Sequence, residues 1–62
     1  MKLQITKDRT IESDHIEGVI MEDNLYFVEM SSGRIHEISQ FMYSTILSIL
    51  SNAGRGKVAW VG

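Results

Sequence analysis

The side chains able to do chemistry are few and scattered. The chain has two histidines, His15 and His36, and no cysteine. Thiol nucleophiles, disulfides and thiolate metal sites are therefore excluded. The most ligand-like segment is Gly54-Arg55-Gly56-Lys57. Its glycines admit close backbone approach, and its two cations suit a phosphate. It follows a predicted helix C-terminus, however, whose partial negative charge repels anions, whereas phosphate loops work at helix N-termini. Arg34 and His36 share one face of a predicted strand while Glu37 points away. Arg34, His36, Arg55 and Lys57 are thus the candidate contacts for an anion or an acidic partner. Trp60 joins them, either as a core residue or as a binding anchor, because tryptophan is enriched at contact hot spots. His15 beside Asp14 and Glu17 offers one imidazole and flexible acids, too little to assign a metal site. No serine is arranged with a base and an orienting acid. The residues point to a non-enzymatic protein with no cofactor.

These groups are carried by a short alternating chain. Leu3 and Ile5 alternate with polar neighbours, a half-buried strand. Thr10–Asp14 is a loop or a short strand. Ile16–Met21 is a strand with Ile16, Gly18 and Ile20 on one face and Val19 and Met21 on the other. Glu22-Asp23-Asn24 supplies turn chemistry. Leu25–Met30 is apolar on both faces, Leu25 and Phe27 on one and Tyr26, Val28 and Met30 on the other. Such a strand is covered on both sides or leaves a patch. Ser31-Ser32-Gly33 reads as a hairpin loop, and Arg34–Ile38 as the returning strand.

Seventeen consecutive residues, Ile38 to Gly54, carry no charge. Ser39 is the expected N-cap of a helix running to about Asn52, with Ile38 and Tyr43 at hydrophobic-staple spacing and Gly54 as the stop. Met42, Ile46, Ile49, Leu50 and Ala53 form its apolar stripe; Phe41, Tyr43 and Leu47 widen it. Val58–Val61 reads as a last strand. The fold class is α+β: an antiparallel meander of three to four strands, one helix packed on the sheet and a short C-terminal strand, all in a single domain over residues 1–62.

A domain of 62 residues is marginal alone and needs either a good core or a partner when disulfides and structural metals are absent. Seven acids face one base between Asp8 and Glu29, whereas Arg34, Arg55 and Lys57 face one acid from Met30 onward. Such a balance disfavours nucleic acid as a partner. The uncharged segment is too short and too polar to span a membrane. The lack of cysteine and of an apolar leader suits the cytoplasm.

A lone surface helix normally shows water a charged face. The uncharged face here suits a contact, so Gln40, Tyr43, Ser44, Leu47, Ser48 and Ser51 are the candidate partner or oligomer interface. The functional expectation is a small interaction module that binds a protein partner, self-associates and regulates or inhibits a larger protein. Two alternatives stand beside it. One is an oligomer that binds a nucleotide or other anion through Arg34, His36, Arg55 and Lys57. The other is a binder of extended peptides by strand addition.

Overall fold

Period-two alternation builds most of the chain. The computed structural model describes the backbone of residues 1–61 and the side chains as far as Ala59. Strands β1 (Lys2–Thr6) and β2 (Arg9–Glu12) pair antiparallel as a two-stranded sheet of their own. A 3-10 turn over Ser13–His15 leads into β3 (Ile16–Glu22), β4 (Leu25–Met30), β5 (Ile35–Ile38), helix α1 (Gln40–Ala53) and β6 (Lys57–Val61). The second sheet has the order β5-β4-β3-β6. The class is α+β, with β3, β4 and β5 forming the antiparallel meander. Alternation alone does not reveal that β6 pairs parallel with β3. Parallel pairing needs a long crossover, and α1 supplies it, carrying the chain from the β5 edge to the opposite edge.

The turns follow from residue type. Asp23 (φ 50°) and Asn24 (φ 66°) both adopt the left-handed conformation that a two-residue hairpin demands and that Asp and Asn tolerate. Gly33 (φ 92°) closes the next hairpin, its N–H donating to the Met30 carbonyl at 2.9 Å.

A β-bulge between Ile16 and Gly18 corrects the expected facing of β3. The extra residue puts Ile16 on the same side as Val19, opposite Ile20, because one inserted residue reverses the alternation beyond it. Ile16 and Val19 then join Val28, Met30, Ile38, Ile46 and Leu50 in the core, and Ile5 and Ile11 bring the first hairpin onto the same cluster. Ile46, Val19 and Val28 are its largest fully buried side chains.

The helix ends are well specified. The Ser39 hydroxyl accepts from the Met42 N–H at 3.1 Å. Ile38 and Tyr43 are both buried, the staple that sets the entry angle. At the far end, Gly54 (φ 66°) donates to the Ser51 carbonyl and Arg55 N–H to that of Leu50, each at 3.0 Å, a Schellman motif. The buried stripe is Tyr43, Ile46 and Leu50, flanked by Met42 and Leu47. It is turned from the expected one: Ile49 is half-buried and Ala53 exposed. The staple explains the turn, for it draws Tyr43 inward, where its ring meets that of Tyr26 at 4.9 Å and 53°. Phe41, expected to widen the buried surface, is instead 77 % exposed.

Two substitutions test this packing. An ideal Cβ on Gly18 would lie 2.4 Å from the Lys57 carbonyl oxygen, so Gly18→Ala forces β3 and β6 apart. The expected loss is about 1–3 kcal/mol, read by urea denaturation, with amide protection lost first in β6; an unchanged midpoint would refute the close approach. The buried Tyr43 hydroxyl has no hydrogen-bond partner among the described residues. Tyr43→Phe is expected to be neutral or to stabilise by up to about 1 kcal/mol, since an unsatisfied hydroxyl is removed without a cavity. A clear loss of stability would show that the hydroxyl has a partner in solution.

Candidate functional site

One candidate surface is the sheet face turned away from α1. Strand register defines it. One row across the sheet runs Ala59, Ile20, Phe27, Glu37, and the next runs Lys57, Gly18, Glu29, Ile35. Glu22 stands opposite Leu25 at the end of the β3–β4 hairpin. Leu25 is 45 % and Ile35 53 % exposed. Ile20 and Phe27 are half-buried and do not join the core cluster. A two-faced strand thus resolves into Val28 and Met30 inward, under the helix, and Leu25 and Phe27 outward. Each cause is local. Neighbouring strands shield the bases of Ile20 and Phe27, and no helix lies over their tips.

Charge on this face is mostly acidic. Glu22, Glu29 and Glu37 carry no ion pair among the described residues, whereas Lys57 reaches Glu17 at 3.8 Å. The Lys57–Glu17 pair is exposed on both sides and contributes little to stability. The other ion pair joins the Met1 α-amino group to Glu12, which raises the amine and holds the Glu12 carboxyl below the usual range; it belongs to the first hairpin, away from this face.

The helix offers a second surface. Gln40, Ser44, Ser48 and Ser51 are exposed in the single chain, with Phe41 beside them. Tyr43, grouped with them from the sequence, is only 7 % exposed and belongs to the core. Leu47 is half-buried and lines a groove of about 300 Å³ with Leu50, Ser51, Arg55, Gly56 and Val58.

The cations do not gather into one pocket within the chain. His36 lies on β5 and Lys57 on β6, the two edges of the four-stranded sheet, about 14 Å apart at ordinary strand spacing. Arg34 is exposed at the start of β5. Arg55 is occupied: its guanidinium donates to the Ile16 carbonyl at 2.8 Å and to the Ser13 carbonyl at 2.6 Å. It ties the end of the helix to the turn before β3. The Trp60 side chain lies outside the described residues. Among those described, no three His, Asp or Glu side chains form a metal-holding cluster, and no helix is long and apolar enough to cross a membrane.

Sequence reasoning singled out the patch on β4 without deciding which of its faces was open. It missed Ile20 and Ile35, whose exposure depends on the bulge and on the edge position of β5. Phe41 carried a readable signal: it sits outside the apolar stripe once Tyr43 is taken as its centre. Comparison with known proteins finds no matching family model, no similar curated protein and no similar solved structure.

The role of Arg55 is testable apart from any ligand. Arg55→Ala is expected to lower stability by about 1–3 kcal/mol, because two carbonyls lose charged donors. Arg55→Lys restores only part, since an ammonium lacks the planar fork. Thermal or urea melts give the comparison, and full stability in the alanine variant would return Arg55 to the pool of ligand contacts.

Proposed function

We propose that this chain is a small non-enzymatic protein-interaction module whose main docking surface is the sheet face bearing Ile20, Leu25, Phe27 and Ile35. The open apolar centre of that face carries the reading. Soluble domains seldom leave contiguous apolar positions on neighbouring strands uncovered, and where they do, the patch usually serves a contact. Action by occupancy suits a chain whose polar side chains are scattered and whose most ligand-like arginine is spent on the fold. A regulator or inhibitor of a larger protein is one form such a module takes.

A second contact on the helix is favoured by Phe41, 77 % exposed beside an uncharged run of Ser44, Ser48 and Ser51. A second copy of the chain is the natural occupant there, because uncharged faces meet without repulsion.

Peptide display against the immobilised chain tests the first reading. Enriched peptides should compete with one another and lose binding to the double variant Leu25→Ser, Phe27→Ser, checked for its fold by circular dichroism. Absence of enrichment, or binding that ignores the double variant, would remove the sheet face as a docking surface. Light scattering at micromolar concentrations tests the second: a dimer that Phe41→Ser dissociates supports it, and a monomer throughout refutes it.

A further inference from the structure

Resting on the sheet-face reading, we infer that the occupant of this face is a cationic amphipathic helix of a partner protein, not a second copy of the chain. Three observations converge. The first is charge. Glu29 and Glu37 flank Phe27 by register, Glu22 stands beside Leu25, and Lys57, the cation in these rows, already has Glu17 within 3.8 Å. A partner carrying Lys or Arg around an apolar stripe meets both the apolar centre and its acidic surround. A second copy laid on the same face would press two sets of unpaired carboxylates together, and like charges at an interface select against that pairing.

The second observation is area. Four strands by about five residues make a face of roughly 300 Å² in projection, a footprint that one short helix, about 10 Å wide, can cover. A single helix needs no more than such a footprint, and it docks weakly and reversibly.

The third is the other side of the same sheet. There one 14-residue helix, α1, covers β3 and β4. The outer face spans the same strands, so one helix of similar length completes a three-layer arrangement in which both faces of β4 are covered. A helix of about 14 residues extends roughly 21 Å, enough to cross the roughly 14 Å between the edge strands with a turn to spare.

The test uses three synthetic helical peptides of about 14 residues (roughly four turns) with the same leucine stripe and with Lys, Gln or Glu at the polar positions. Each is titrated into the ¹⁵N-labelled full chain and followed by amide chemical shifts. The lysine peptide is expected to perturb Ile20, Phe27, Glu29 and Ile35, and to bind at least tenfold more weakly when salt rises from about 50 to about 500 mM, since exposed charges are screened. Neutralising Glu29→Gln with Glu37→Gln should weaken it about fivefold, whereas Asp8→Asn with Asp14→Asn, equal in charge but off the face, should not. If the glutamine or glutamate peptide binds the face equally well, the charge inference is overturned while the docking reading stands. If the two double variants weaken binding alike, attraction is only to net charge and the inference is again overturned. If no peptide reaches the face, the inference falls, and the display selection decides the docking reading separately.

Discussion

Ile46, Val19 and Val28 share one buried cluster where the helix packs on the two central strands, and the rest of the structure hangs on that packing. These three side chains are the largest that are fully withdrawn from water. In so small a domain a core has room for only a few such positions, and each buried aliphatic contributes about 1.5–3 kcal/mol. With no disulfide to limit the unfolded chain, this one cluster must also recruit the first hairpin, which it does through Ile5 and Ile11. The staple at Ile38 and Tyr43 and the Schellman turn at Gly54 then set where the helix starts and stops, so that Ile46 falls over the middle of the sheet.

Closure of the fold depends on polar and backbone detail more than on added apolar area. Gly18 lets the Lys57 carbonyl come closer than any side chain would permit. Arg55 reaches back to the carbonyls of Ile16, at the start of β3, and of Ser13, in the turn before it. Together they fasten the segment after the helix to a strand nearly forty residues earlier. The same fastening explains why the glycine and arginine run after the helix resembles a ligand loop in composition. Glycines that admit a close approach and a cation that satisfies carbonyls are what a tight backbone junction requires, and the junction consumes them.

The price of a two-layer build is an uncovered side. A sheet in the middle of a protein has two faces, and one helix covers one of them. On the inner face, Val19, Val28 and Met30 are buried; on the outer, Ile20, Phe27, Leu25 and Ile35 keep partial access to water. Glu22, Glu29 and Glu37, which have no ion pair among the described residues, stand around that apolar centre. Strand β4 thus has one face buried in the core and one partly open to water.

The sequence by itself determined the local elements. Asp23-Asn24 and Ser31-Ser32-Gly33 specified turns because Asp23, Asn24 and Gly33 accept left-handed backbone, Ser39 and Gly54 bounded the helix, and alternation marked the meander. It also showed that β4 is apolar on both faces. Tertiary structure decided the rest. The bulge at Ile16 shifted one strand's facing by one residue, a change too small for periodicity to register. Parallel pairing of β6 with β3 arose from a crossover, and a strand's own residues do not encode which neighbour it meets. Burial of Tyr43 and exposure of Phe41 followed from the angle at which the helix enters. Which side of β4 stays open was settled only when the helix took the other, because a side chain's access to water depends on what packs over it, and that partner lies elsewhere in the chain.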